Sequence, residues 1–519
     1  MPPAVATIIC AAGVVGLFVL ERENSRRVSL ALWIPLIWVS LAASRMASQW
    51  LGLAAPVESV TQAMEGNGLD RSIQAALMAA GVMVLLARGR TVTALLRANA
   101  PILVFFGYCA LSVLWSDYPD VAVKRWTKAA GDVVMILIIL TDRDRPTAVK
   151  QFLARLGFLL VPASILLIKY YPTLGRNYSP WEGRVRHTGV AMDKNMLGVI
   201  CLVAGLACAW RVIEALRDRE GARKVGPLIA QSVLLAMVLW LFRLANSMTS
   251  LACFVSGTTL MVATTMPALA RRRSAVHLLV LVALTVATAV LFFDVGSALL
   301  DVLGRDATLT GRTGLWKDLL GMSPDPLVGA GFENFWVGRR LEKLWAIYWW
   351  RPNEAHNGYL EVYLNLGWIG VGLLAAVILT GYRNVLAAYG HDPETSGLRL
   401  AYFVAGVTYG LTEAAFRVLS PVWTLFLMAA MAIPVAVPRR SRVSRGQDVV
   451  TDAAAVRSSI RVVHRQPRAV AGSRLEGERR PPGKPRRSRS SGGRSGPLDR
   501  SGGTRRLPRH WPAPTEGGE

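Results

Sequence analysis

Residues 195–211 read NMLGVICLVAGLACAWR. No charge interrupts the stretch until Arg211 closes it. A run of this length and composition suits a helix that crosses a bilayer. Comparable runs recur along the chain, at 3–20, 28–44, 72–88, 99–115, 127–141, 151–169, 227–245, 251–268, 276–293, 357–380, 398–415 and 418–437. Bulk composition agrees: of 519 residues, 52% are hydrophobic and 18% charged, and mean hydropathy is +0.36. The expected fold is therefore all-α, a polytopic membrane helix bundle of about 12–13 transmembrane helices. The run 3–20 lacks a basic start and leads at once into Glu21, Arg22 and Glu23, so it reads as a retained first helix rather than a signal peptide.

Charge patterning orients the bundle. Arg-rich loops at 21–27, 87–98, 141–150, 211–225, 269–275 and 381–397 are assigned to the cytoplasm by the positive-inside rule. They alternate with loops at 45–71, 116–126, 170–194, 246–250, 294–356 and 416–417, which are richer in Trp, Tyr, Gly and Pro. This parity puts the N-terminus outside and the C-terminal tail inside. Residues 1–438 form the expected membrane domain, with 294–356 as one large outer loop. In that loop, Gly311 to Leu320 reads as an amphipathic stretch able to lie on the membrane surface.

Net charge is +25, unevenly spread. The tail, 439–519, holds 20 Lys/Arg and 7 Asp/Glu, so it carries +13 and leaves +12 for the membrane domain. Rich in Arg, Ser, Gly and Pro, it is expected to be disordered and attracted to anionic lipid. It shows no folded module or aromatic platform for nucleic acid, so no nucleic-acid partner is expected. The five cysteines, Cys10, Cys109, Cys201, Cys208 and Cys253, all lie in apolar runs and read as inert packing residues. Neither CxxC nor a His cluster at metal spacing occurs, and no metal or cofactor is expected. Walker A, GxSxG and HExxH motifs are also absent. Asp142 and Asp144 form a DxD in a short cytoplasmic loop with no nucleotide domain, and read as solvated charge.

Chemistry concentrates on the outer side. Several basic residues there run against the positive-inside tendency: Lys124 and Arg125, then Arg176, Arg184, Arg186 and Lys194, then Arg312, Arg339, Arg340 and Arg351. Arginines converging from separate loops suit the grip of a phosphate. Of the six histidines, His356 stands out, and His187 lies in another outer loop. His356 precedes Asn357, Glu361 and Asn365, which place one polar stripe on an otherwise apolar helix. Polar groups at that depth should face the protein interior. A histidine at the mouth of such a stripe is a candidate general base, with an unperturbed pKa near 6.5. Its second nitrogen would find a partner in Glu361 or a backbone carbonyl.

Three segments together resemble a known family: Gly311-Arg312-Thr313-Gly314-Leu315-Trp316, Pro326-Leu327-Val328-Gly329-Ala330-Gly331-Phe332, and His356-Asn357-Gly358-Tyr359-Leu360-Glu361 with Leu366-Gly367-Trp368-Ile369-Gly370. They look like the signature of the O-antigen ligase and bacterial polysaccharide polymerase superfamily. Upstream motifs resemble its exopolysaccharide-production branch: Glu65 to Arg71, Ser112 to Ser116 with Lys124 and Arg125, Gly189 with Asp193-Lys194-Asn195, and Asn246 to Ser250. The resemblance spans roughly residues 40–430. It implies a metal-independent inverting glycosyltransferase of the bacterial inner membrane. The donor would be an undecaprenyl-diphosphate-linked glycan, and the acceptor a hydroxyl of a second glycan or lipid. By motif match His356 is the base and Arg312 a diphosphate ligand, with Lys124, Arg125, Arg186, Lys194, Asn195, Arg243, Asn357 and Glu361 as substrate-binding candidates. The family commonly carries Arg or Lys where this chain has Met248, a charge that Arg243, Arg186 or Arg125 would supply. Membrane lipids and other polysaccharide-assembly proteins are the remaining expected partners. The rival readings are a transporter of polysaccharide or lipid-linked sugar, and a non-catalytic part of an assembly complex. No inverted repeat is evident, which weakens the transporter reading.

Overall fold

The structure is a computed structural model that describes residues 1–22, 28–53, 66–178, 183–217, 225–266, 272–292, 310–389, 392 and 394–434. The tail, 439–519, and residues 293–309 of the large loop lie outside the described residues.

The apolar runs read from the sequence form helices where described, except that 410–420 is a turn and 431–434 leaves the last helix. The helices longer than one turn run α1 Pro3–Leu20, α2 Trp33–Ala43, α3 Gly68–Ala87, α4 Gly89–Ala98, α5 Ala100–Leu111, α6 Pro119–Leu140, α7 Arg145–Tyr170, α8 Lys194–Arg217, α9 Val225–Ala245, α10 Met248–Thr265, α11 Arg273–Phe292, α12 Thr310–Gly321, α13 Gly338–Ile347, α14 Gly358–Ala388, α15 Ser396–Tyr409 and α16 Pro421–Ala430. Seven of these are long and apolar enough to cross a membrane. An eighth span arises if α4 and α5–Trp115, which meet at 88°, count as one. Three shorter apolar helices accompany them. The chain is an all-α, multi-pass membrane protein. The described strands are one small hairpin, β1 Arg176–Tyr178 paired antiparallel with β2 Val185–His187.

Local chemistry explains where helices begin. The Asn67 side chain caps Leu69 N at the start of α3, with Asp70 in the first turn. Asp144 caps α7, Asn357 caps α14 and Ser420 caps α16. Proline occupies the first turn of α6, α7 and α16, where its missing N–H costs nothing. Burial then separates core from periphery. In the apolar window of α8, 78% of residues are buried inside the protein, against 11% in α1. So α8 is central, and α1 leaves most of its surface for lipid. Cys109, Cys201, Cys208 and Cys253 are all packed in the interior as free thiols.

Side-chain pairs join the Arg-rich loops at one end of the bundle. Lys150 pairs with Glu214 and Glu394, Arg211 with Glu21, and Arg88 with Asp142. The solvated reading of the DxD is therefore corrected. Asp142 is buried against Arg88, and Asp144 is the cap of α7.

At the other end, residues 310–356 fold over the helices around a small core of their own that includes Leu315, Leu319, Phe335, Trp336, Leu341 and Leu344. This accounts for the stretch Gly311 to Leu320 differently from the sequence expectation. Two of its apolar positions, Leu315 and Leu319, pack inside the loop, while Leu320 stays exposed. Glycines of the second and third motifs are what let the loop settle. Helix α14 breaks at Gly367 (φ +63), and Trp368 N and Ile369 N donate to Pro326 O and Leu327 O. A Cβ on Gly367 would stand 2.2 Å from the Leu327 carbonyl, and one on Gly331 (φ +89) 1.9 Å from Ser116 Oγ. Both positions combine a left-handed backbone with contact too close for any side chain.

Candidate active site

Helix α14 carries the polar stripe, and the stripe faces inward as expected. Asn357 caps the helix through Tyr359 N and Leu360 N, and donates to Leu411 O at 3.1 Å. Glu361 is 3% exposed and accepts from Trp336 Nε1 at 2.8 Å and Ala355 N at 2.5 Å. Asn365 accepts from Phe335 N at 3.0 Å. The stripe thus clamps the large loop onto the bundle. Glu361 is spent on that clamp and is not the partner of His356.

The partners of His356 are two other acids. Its Nδ1 lies 2.9 Å from Glu354 Oε1 and 3.1 Å from Glu413 Oε2. Glu354 belongs to the large loop, and Glu413 to the turn between α15 and α16. His356 itself stands just before the helix at φ +51. That backbone region is uncommon for a non-glycine residue and persists only where the surroundings enforce it. Gly358 N donates to Gly410 O at 2.7 Å and ties the two segments together.

Electrostatics follow from this arrangement. Burial works to lower the His356 pKa, but hydrogen bonds to Glu354 and Glu413 and their charges prevail and raise it to about 10. Burial would raise Glu354, yet the imidazolium and Arg417 bring it down to about 2. The two carboxylates thus favour the protonated imidazole over the neutral one. Arg417 Nη1 donates to Glu354 Oε2 at 2.9 Å. Arg312 Nη1 donates to Thr412 O at 2.7 Å, and Nη2 lies 3.6 Å from Glu413 Oε1. Glu354, His356 and Glu413 each offer a ligand atom, all within 4.8 Å of one another, a spacing that suits a metal ion. A divalent cation entering there would have to displace the imidazole proton and outcompete both arginines.

These groups border a cavity of about 410 Å³. Four of the residues singled out from the sequence line it together: His356, Arg186, Lys194 and Asn195. Arg186 is carried by β2, opposite Asn177 of β1, which also lines the cavity. Asn195 Nδ2 donates to Glu413 Oε1 at 3.3 Å. Arg312 is not among the lining residues and acts behind Glu413. Arg125 points into the protein, where it donates to the Glu333 carbonyl. Lys124 and Arg243 are exposed and do not line the cavity. Of the three residues considered as replacements for a basic side chain at Met248, only Arg186 lines it.

Sequence reasoning missed five charged residues. Glu354, Glu413 and Arg417 line the cavity, while Asp132 and Glu333 hold the turn that carries Arg417. Glu333 Oε1 accepts from Val418 N at 3.2 Å. Asp132 Oδ2 accepts from Leu419 N at 3.0 Å, and Asp132 Oδ1 from Trp38 Nε1 at 2.7 Å. Both ends of this arrangement are conformationally forced, with Glu333 at φ +52 and Leu419 at φ +59. A signal was available: Asp132 is the only acid in the run 127–141, Glu413 is an acid inside the run 398–415, and Arg417 sits between that run and the next.

No family model matches the chain. It is 25% identical over 356 residues to the exopolysaccharide production protein ExoQ of Rhizobium meliloti (strain 1021), an overlap of 66% of this chain and 78% of that protein. The likeness fits the exopolysaccharide-production branch of the O-antigen ligase-like superfamily.

Proposed function

We propose that the chain is a glycosyltransferase of the bacterial inner membrane. It would join an undecaprenyl-diphosphate-linked glycan to an acceptor hydroxyl at the periplasmic face, as a polymerase or an O-antigen ligase. The observation that carries this reading is the His356–Glu354–Glu413 cluster at the wall of a cavity that Arg186, Lys194 and Arg417 also line. A diphosphate leaving group brings negative charge, and these three cations answer it. A sugar hydroxyl is a poor nucleophile and gains from a positioned base.

In the transfer, the acceptor oxygen forms a bond to the anomeric carbon while the bond from that carbon to the diphosphate oxygen breaks. The hydroxyl proton goes to His356, and the electron pair leaves with the diphosphate. Nδ1 is committed to the two carboxylates, so Nε2 is the nitrogen for the acceptor. With the pKa raised to about 10, the neutral imidazole is the minor form at pH 7, but each neutral one is a stronger base. Transfer should therefore rise with pH toward that value. Arg312 holds Glu413 in place, and reaches the diphosphate only by releasing it.

The test uses purified protein in nanodiscs, supplied with lipid-linked glycan extracted from the producing strain. Wild type should release undecaprenyl diphosphate and lengthen or ligate the glycan. His356→Ala should lose transfer by about 10²–10⁴-fold while still inserting. His187→Ala should be far milder. Wild-type transfer by His356→Ala removes His356 from the chemistry. Accumulation of intact lipid-linked glycan on the opposite face, without transfer, points to transport.

A further inference from the structure

A second cavity, of about 310 Å³, opens at the far end of α14 from His356. It lies between the α4–α5 corner and the last turns of α14. Arg383, Asn384 and Thr380 supply its polar lining, and Pro101, Ile102 and Val377 its apolar lining. Along α14 at 1.5 Å per residue, Val377 lies about 9 Å deeper than Arg383. Polarity is thus graded along the helix. The apolar side continues onto lipid-facing surface, since Leu103, Val104 and Leu379 are 41%, 55% and 65% exposed.

Charge at the mouth is positive. Arg383 is exposed and makes no ion pair among the described residues. Arg97, also exposed, ends α4 one residue before Ala98, which lines the cavity. Helix α4 turns 88° from α5, so it runs across the end of the bundle. Its Val92, Leu95 and Leu96 pack against the protein, and Arg90 and Arg97 remain outward. Asn99 is already satisfied, clasping Ala432 through both its oxygen and its nitrogen, so the cavity wall is pinned rather than open to collapse.

We propose that this cavity seats one anionic glycerophospholipid, its phosphate on Arg383 and its first acyl carbons against Pro101, Ile102 and Val377. A free phosphate would use the arginine and leave the apolar floor in water. A zwitterionic lipid would fill the floor but bring no net charge. Loop 87–98 carries three arginines, Arg88, Arg90 and Arg97, and by the positive-inside rule this places the mouth at the cytoplasmic leaflet, where anionic lipids concentrate. This site is independent of the glycan-transfer reading.

Native mass spectrometry of the full-length protein tests it. Phosphatidylglycerol, phosphatidylcholine of the same chains, and inorganic phosphate are each titrated. Wild type should retain one phosphatidylglycerol in preference to phosphatidylcholine. Arg383→Gln should lower that retention about fivefold, the worth of one arginine beside an anionic headgroup. Ala387→Trp keeps every charge and fills the cavity from an exposed position, so it should lower retention at least as much. His356→Ala should retain lipid as wild type does. Unchanged retention in Arg383→Gln and Ala387→Trp overturns the proposal, as does equal retention of phosphatidylcholine. Displacement of phosphatidylglycerol by millimolar phosphate reduces the site to an anion contact and also overturns it.

Discussion

Glu413→Gln isolates what a carboxylate does to His356. The substitution keeps an oxygen acceptor for Nδ1 at about the observed 3.1 Å and removes one negative charge. An opposite charge at this range moves a pKa by about one to three pH units, each worth about 1.4 kcal/mol. Two such carboxylates, offset by burial, produce the rise from 6.5 to about 10. The midpoint in Glu413→Gln should therefore fall to between about 7 and 9. Histidine-selective ¹⁵N labelling in nanodiscs, with His356→Ala to assign the signal, reads it directly and needs no substrate. The sign for stability follows from a raised histidine pKa. The stabilisation is complete below pH 6.5 and is lost as pH rises through about 10. The gap in stability between wild type and Glu413→Gln should accordingly be widest below pH 6.5 and narrow toward pH 10. If His356 is a base, the rising limb of the transfer rate shifts to lower pH by the same amount as the midpoint. A wild-type midpoint near 6.5, or one unmoved by Glu413→Gln, would refute the reasoning.

Asp132→Leu strands Leu419 N and Trp38 Nε1 inside the protein, at about 1–3 kcal/mol for each donor. It should lower the melting temperature in detergent far more than Asp132→Asn, and equal melting curves for the two would count against this role. Gly331→Ala places a methyl group 1.9 Å from Ser116 Oγ at φ +89, so the loop cannot seat. Limited proteolysis should cut within 310–356 in that variant and spare wild type. Arg312→Lys retains charge but cannot serve Thr412 O and Glu413 together, so transfer should drop strongly, and wild-type rates would exclude a need for the guanidinium fork. The positive-inside reading expects the tail on the opposite side of the membrane from the proposed chemistry, so glycan transfer by the inserted protein should persist on truncation after Arg440, and its complete loss would contradict that placement.

Hydropathy alone determined that the chain is a multi-pass helical membrane protein, because spanning a bilayer demands apolar runs of fixed length wherever they pack. Arginine placement marked the loops that meet at one end. The glycine motifs marked the loop that closes on Gly367, since only glycine accepts those contacts. An imidazole at the mouth of a polar stripe was also legible at His356, and the structure places it at the wall of the cavity. Its partners were not. Glu413 lies 57 residues from His356 in sequence, and Asp132 lies 287 from Leu419. No local periodicity encodes such pairings, which arise when the α15–α16 turn packs under the large loop. The same packing sends Arg125 inward to the Glu333 carbonyl and Glu361 to Trp336, while it turns Arg417 toward the cavity. Residue type limits the chemistry a side chain can perform. The tertiary structure decides which carboxylate it faces, and with that its charge at neutral pH.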